Sequence, residues 1–139
     1  MLERKARGES YSADGPKAVQ EAIDMVKNMK PLPALKRSNG LAKSARDHAI
    51  DTNKNKLHGH KGSDGSGMAD RIKRYVSNPG AMSENIQYGI KDPKNIILAF
   101  LMDISVLNRA HRKTILSPAY KFAGVSVLSD GSPNGVVTV

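Results

Sequence analysis

Cysteine and tryptophan are absent from this chain of 139 residues, and other aromatic side chains are scarce. Without cysteine, the chain can form neither a disulfide bond nor a cysteine-ligated metal site. Aromatic residues make up 4% of the chain and hydrophobic residues 39%, so a folded core has to be built from aliphatic side chains. This hydrophobic content is typical of a globular protein, and the length suits one domain.

Long apolar segments are also missing. No stretch approaches the roughly 20 residues that a transmembrane helix needs. The first ten residues, MLERKARGES, are charged and contain no hydrophobic segment, so we expect no signal peptide in this chain. The oligomeric state cannot be read from any of these features.

Acidic side chains are outnumbered, because 22 lysine and arginine residues face 13 aspartate and glutamate residues, which gives a net charge of +9. The basic residues are spread along the chain rather than gathered in a tail. An ordinary solvated surface is the simplest interpretation. Weak binding to an anionic glycan, an anionic lipid or nucleic acid is the alternative.

Periodic apolar residues predict helices in the first part of the chain. Residues 1–13 are polar and unpatterned, and we interpret 1–15 as a flexible N-terminal arm that precedes a single domain at 16–139. A helix should begin at Asp14-Gly15-Pro16, because proline suits the first helical turn. Its predicted apolar face consists of Ala18, Val19, Ala22, Ile23, Val26 and Met29. A second helix should begin near Ser38 or Asn39, and its predicted buried stripe consists of Leu41, Ala45, His48, Ala49 and Thr52.

Two further helices follow a glycine-rich loop at 57–67, in which Asp64 and Ser66 should bond local backbone and cap the next helix. That helix is short and starts at Met68, with a predicted exposed basic patch of Arg71, Lys73 and Arg74. The other opens at Asp92-Pro93, as cap and first residue. Its predicted buried face is Ile96, Ile97, Phe100, Leu101 and Ile104.

The end of the chain has the composition of strands. Glu84 to Gly89 could form a short strand, and the segments 122–128 and 136–139 flank Asn134-Gly135, a typical hairpin turn. A sequence of helices, then mixed elements, then strands predicts a layered α+β domain.

Histidine and carboxylate residues are the candidates for chemistry. His48 lies on an apolar helical stripe and is interpreted as structural, and His58 as solvated. His60 lies in the glycine-rich loop, and His111 lies in a predicted turn at 108–112. Glu84 or Asp103 could approach either ring only through the fold. The four residues could bind zinc, act as an acid–base pair, or form a purely structural hydrogen-bond network.

Established catalytic motifs are missing from the sequence. It contains no HExxH, EF-hand, Gly-x-Ser-x-Gly or P-loop pattern. Spacing alone therefore assigns no reaction.

An ordered set of motifs gives a resemblance. It runs from His60-Lys-Gly-Ser-Asp64-Gly65-Ser66 through Arg71-Ile72 and Ser83-Glu84-Asn85-Ile86 to Asn108-Arg-Ala-His111-Arg112 and Phe122-Ala-Gly124-Val125. This order resembles the CAP superfamily of cysteine-rich secretory, antigen 5 and pathogenesis-related proteins, in its cysteine-free, bacterial-type branch.

The resemblance implies a three-layer α–β–α sandwich with a small, mostly antiparallel sheet and a cleft lined by two histidines and two acids. Carried over, these are His60, Glu84 and His111, with Asp103 as the second acid and Phe100 in the place of a family tryptophan. Some members bind zinc or another divalent cation there, and some bind sterols or other lipids.

Three positions depart from the family pattern. Ser83 and Ala110 replace glycines, which would cost stability if either backbone required a positive φ. Asp103 is one methylene shorter than glutamate. The resemblance thus implies a secreted or surface binding module, with His60, His111, Glu84 and Asp103 as metal ligands. The alternatives are a hydrolase with Glu84 and a histidine as catalytic residues, and a basic protein that binds polyanions or lipid.

Overall fold

The structure is a computed structural model that describes residues 14–129 and the backbone of 136–138. Most of the predicted N-terminal arm lies outside the described residues, and the chain is already helical at Gly15. Helices dominate the described part: α1 (Gly15–Asn28), α2 (Asn39–Asn55), α3 (Met68–Lys73), α4 (Pro93–Met102) and α5 (Ala110–Ile115). No helix in these ranges is long and apolar enough to cross a membrane.

Local signals explain where α1, α2 and α4 begin. Pro16 lies in the first turn of α1. The Ser38 hydroxyl accepts the Leu41 amide at the start of α2, and the Asp92 carboxylate accepts the Asn95 amide at 2.8 Å at the start of α4. Each of these starts was predicted from the sequence, and each is confirmed.

The burial of α2 follows the predicted stripe most closely. Its buried residues are Ser44, Ala45, His48, Ala49 and Thr52. The prediction for α1 is correct only for its small residues, because Ala18 and Ala22 are buried whereas Ile23 and Val26 are exposed. In α4, Ile96 and Phe100 are buried, but Ile97 was wrongly predicted to be buried and is half exposed; Ile104 beyond the helix is also exposed.

Two loop predictions need correction. The segment carrying His111 is not a turn throughout, because α5 begins at Ala110 and places His111 in its first turn. At α3, the predicted side-chain cap from the 63–66 turn does not form. Asp64 does accept the Ser66 amide at 2.8 Å, but the amide of Gly67 is bonded instead by Asp70, at 2.9 Å.

The strands are short and form two sheets. Strand β1 (Lys36–Arg37) pairs in parallel with β3 (Phe122–Ala123). Strands β2 (Gln87–Tyr88), β5 (Val136–Thr138) and β4 (Val127–Ser129) form an antiparallel sheet in that order. The pairing of β4 with β5 confirms the predicted hairpin, although its turn lies outside the described residues.

Helix α2 packs on β4 and β5, and Ala49 forms a core cluster with Ile86, Tyr88 and Leu128. Helix α4 packs on α1 and on α5, and these three helices make the second helical layer. Next to β3, Gly124 passes so close to α2 that a Cβ atom there would lie 2.1 Å from the Ala42 nitrogen. A side chain at this position would separate β3 from α2.

Candidate functional site

His60 and Glu84 form the first of two histidine–carboxylate pairs. The loop after α2 carries His60, and the segment before β2 carries Glu84. The imidazole Nδ1 lies 2.9 Å from Glu84 Oε1. The His60 side chain is 55% exposed, whereas that of Glu84 is 8% exposed. A buried carboxylate therefore holds the inner nitrogen of a ring whose other side faces solvent.

Arg71 was predicted to belong to an exposed basic patch, and this is wrong. Its side chain is 2% exposed, and Nη2 donates to both oxygens of Glu84 at 2.8 Å. Only Lys73 and Arg74 of the predicted patch are exposed, and Arg74 pairs with Asp64 at 2.9 Å. Arg71 can be buried because it is paired with the Glu84 carboxylate, whereas a group of basic residues alone would contain no such partner.

The loop that carries His60 is fixed at Gly59 as well. The buried His48 ring places Nε2 2.8 Å from the Gly59 carbonyl oxygen, and the Gly59 amide donates to the Tyr88 hydroxyl at 2.8 Å. His48 thus has the structural role predicted for it, although its buried Nδ1 has no hydrogen-bond partner among the described residues. His58 is exposed as predicted, but its ring also contacts that of Tyr88, with centroids 4.6 Å apart.

His111 and Asp103 form the second pair. The His111 Nδ1 atom lies 2.7 Å from Asp103 Oδ1, and the Asp103 side chain is 2% exposed. The other oxygen of Asp103 accepts the backbone amides of His111 and Arg112, at 2.9 and 3.1 Å. Phe100 stacks on the His111 ring with centroids 5.5 Å apart. Asp103 therefore orients the ring and starts α5 together.

Two arginines tie this second pair to α1. Arg112 is buried and donates to the carbonyl oxygens of Ala18, Leu101 and Met102. Arg109 donates to the carboxylates of Asp14 and Glu21. The Arg109 hydrogen bond lowers the pKa of Asp14 to about 2 and also lowers the pKa of Glu21.

Ser83 and Asn85, the residues on either side of Glu84, both contact α5. Ser83 Oγ lies 3.0 Å from Thr114 Oγ1, and the side-chain Nδ2 of Asn85 donates to the His111 carbonyl oxygen at 3.1 Å. Among the described residues neither Ser83 nor Ala110 has a positive φ; that conformation falls on Arg109, at 49°. Replacing the two family glycines therefore causes no left-handed strain at those positions.

A cavity of about 610 Å³ adjoins the second pair. His111 and Asp103 lie on its wall, together with Asn95 and Gln87. The rest of the lining is apolar: Ile86, Ile90, Leu98, Ala99, Phe100, Met102, Ile104 and Val106. Apolar side chains are thus the majority of the lining, and His111 and Asp103 are the ionisable groups on the wall.

The donor set fits a metal only in part. In residues 14–129, no three or more histidine, aspartate and glutamate side chains are grouped closely enough to hold an ion. Both carboxylates are occupied, Glu84 by Arg71 and Asp103 by backbone amides. Both rings bond through Nδ1, which is how metal-binding histidines are commonly oriented by a carboxylate behind them. Metal binding by His60, His111, Glu84 and Asp103 remains a prediction.

Comparison with known proteins identifies the family. A profile described as "CAP: Cysteine-rich secretory protein family" matches residues 5–139, so the chain belongs to the CAP family. The resemblance inferred from the ordered motifs is confirmed. No curated protein matches the chain.

Two solved structures share the fold. An outer surface protein from Borrelia burgdorferi is 18% identical with a TM-score of 0.67, and the match covers 93% of this chain and 92% of that one. An extracellular protein containing an SCP domain, from Bacillus anthracis strain Ames, is 20% identical with a TM-score of 0.60. That match covers 94% of this chain but 43% of the Bacillus chain. The predicted α+β fold, an α–β–α sandwich, is confirmed.

Proposed function

We propose that this CAP domain is a secreted or surface binding module that recognises its ligand through His60 and His111. The supporting observation is that each ring bonds a buried carboxylate through Nδ1, at 2.9 and 2.7 Å. Within the described residues neither Nε2 atom has a protein partner, so both are left to accept a proton or bind a cation. The surface location is supported by the two fold relatives, which are described as outer surface and extracellular proteins.

A divalent cation, zinc above all, is the ligand that we propose first, with His60 and His111 as its nitrogen donors. Imidazole nitrogens are preferred zinc ligands, and a carboxylate behind the ring fixes its orientation and raises its basicity. When bound, the ion would supply a Lewis-acid centre to which a ligand oxygen can bind. The chain itself orients the two rings and holds their Nδ1 protons, through Glu84 and Asp103.

Calorimetry with zinc chloride tests this proposal. We expect His60→Ala and His111→Ala each to weaken zinc binding by about tenfold or more, since each removes a nitrogen ligand. His58→Ala is the matched control, because His58 is an exposed histidine in the same loop but lacks a carboxylate partner in the described contacts. Equal zinc affinity in all four proteins would refute the metal site.

An apolar ligand is a second candidate, which the cavity beside His111 favours. A lipid or sterol would place its hydrocarbon part against Leu98, Ala99 and Ile104 and its polar group near His111. Ala99→Phe should fill the cavity and weaken binding of a fluorescent fatty acid, whereas the exposed Ala81→Leu should not. Unchanged binding in Ala99→Phe would reject the cavity as the site.

The hydrolase alternative assigns Glu84 as general base. Arg71 holds both oxygens of that carboxylate, an arrangement that favours orientation of His60 over proton transfer. A panel of peptide and ester substrates tests the alternative. Turnover that disappears in Glu84→Gln would support it, and absence of turnover would reject it.

A further inference from the structure

We propose that Arg71 is the positioning residue of the His60 side of this site, and that it selects which nitrogen of His60 is presented to the ligand. By clamping Glu84, it keeps the His60 proton on Nδ1 and leaves the Nε2 lone pair facing solvent. The effect of Arg71 on ligand binding rests on the proposed function. The selection of the proton position does not, because it is a property of the ligand-free protein.

One guanidinium group reaches every part of the arrangement. Its Nη1 atom donates to the carbonyl oxygen of His60 at 2.9 Å and to that of Ser66 at 3.2 Å. Its Nη2 atom donates to both oxygens of Glu84 at 2.8 Å. Arg71 therefore fixes the main chain of His60 and the acceptor of its ring relative to each other.

The contact between Arg71 and Glu84 is buried. The side chains of Arg71 and Glu84 are 2% and 8% exposed, so water does not compete freely for the carboxylate. Both oxygens of Glu84 already accept from Arg71, so the carboxylate faces the His60 ring as a hydrogen-bond acceptor. Because the hydrogen bond made by one ring nitrogen sets the tautomer of a neutral histidine, an accepting Glu84 at Nδ1 places the proton there.

Lysine cannot reproduce these contacts. The guanidinium is planar and offers five donors in a rigid fork, whereas an ammonium offers three at one point. In Arg71→Lys the charge is kept, but one nitrogen cannot reach the two carbonyls and Glu84 together. We therefore expect Glu84 to move and the His60 proton to redistribute to Nε2.

The second pair supplies a control inside the same molecule. Asp103 is held by the amides of His111 and Arg112, and Arg71 makes no contact with it. The tautomer of His111 should therefore not respond to changes at Arg71. Arg74 is the matched control for the substitution itself, since it lies on the surface three residues further along and pairs with Asp64.

The test is a long-range ¹H–¹⁵N spectrum of the metal-free protein labelled at histidine, recorded at about pH 8.5, where histidine is ordinarily neutral. In the wild type we expect both His60 and His111 to carry the proton on Nδ1. In Arg71→Lys the His60 signals should shift to the Nε2–H pattern, while His111 stays unchanged. Arg74→Lys should leave both rings as in the wild type.

Two results overturn the proposal: a wild-type His60 that carries its proton on Nε2, or a folded Arg71→Lys protein in which His60 keeps the proton on Nδ1. If Arg71→Lys does not fold, the wild type decides. A buried pair is screened little by salt, so the Nδ1 preference should persist at about 1 M NaCl, and its loss would overturn the proposal.

A zinc titration of the same proteins separates this inference from the proposed function. If both hold, Arg71→Lys should weaken zinc binding by roughly tenfold, the lower end of the effect of groups that orient a metal ligand. If the wild type does not bind zinc but the tautomer shifts as expected, the metal proposal fails and the positioning role of Arg71 stands. If zinc binds but the tautomer does not shift, the reverse holds.

Discussion

Replacing Asp103 with alanine should be among the most damaging single changes near the site. The carboxylate accepts three hydrogen bonds, from the amides of His111 and Arg112 and from the His111 ring, at 2.9, 3.1 and 2.7 Å. Removing it leaves three donors without their acceptor in a region that water reaches poorly. At about 1 kcal/mol for each donor, the free energy of unfolding should fall by about 3 kcal/mol.

Asp92 provides the comparison, because it lies at the other end of the same helix. Its carboxylate accepts one amide, that of Asn95, at an exposed helix start. Asp92→Ala should therefore cost only about 1 kcal/mol, as a lost N-cap does. Urea unfolding followed by circular dichroism gives both values.

Asp103→Asn separates the contribution of the hydrogen bonds from that of the backbone conformation at this position. Asp103 has a left-handed backbone with φ of 50°, which asparagine tolerates and alanine does not. Asparagine also keeps one acceptor oxygen. The loss in free energy of unfolding for Asp103→Asn should therefore lie between the losses for Asp92→Ala and Asp103→Ala. If Asp103→Ala costs no more than Asp92→Ala, the carboxylate does not support α5 and the reasoning is refuted.

Two further predictions concern packing and pH. Gly124→Ala should lower the free energy of unfolding by about 2 kcal/mol or more, since its Cβ would lie 2.1 Å from the Ala42 nitrogen, whereas Gly15→Ala meets no atom within 4 Å and should be close to neutral in the same urea assay. Because its bond to Arg109 lowers the pKa of Asp14 from 3.8 to about 2, the contribution of Asp14 should be present above about pH 4 and be lost as the pH falls towards 2. Asp14→Asn should flatten that part of the stability profile and Asp24→Asn should not; an unchanged profile in Asp14→Asn would contradict the assignment.

The sequence predicts best those features that depend on residues one turn apart. The caps at Ser38 and Asp92 and the buried stripe of α2 are of this kind, and each is confirmed. The start of α5 is different. Asn108 accepts the Ala110 amide locally, but the next two amides of the first turn, those of His111 and Arg112, are bonded by Asp103, eight and nine residues earlier.

The main feature that the sequence predicted wrongly is the burial of a charged side chain, that of Arg71. An arginine beside lysine and arginine on a short helix is typical of a solvated patch, and its burial depends on Glu84, 13 residues away. Spacing did not reveal that contact, although the family resemblance placed both residues in one ordered motif set. Their places in a glycine-rich loop and a predicted turn selected His60 and His111 from the four histidines, and the resemblance then placed both rings in one cleft with Glu84 and Asp103.

The bonds that join Arg109 and Arg112 to α1 affect the order in which the chain can fold. They connect residues up to 95 positions apart, so α1 cannot form these bonds until nearly the whole domain has been synthesised. Contacts of such long range slow folding, because the closure entropy is lost before they form. A fragment that begins after Asn28 would leave both guanidinium groups without these acceptors, so we expect the His111 side of the site to form late and only in a chain that includes α1.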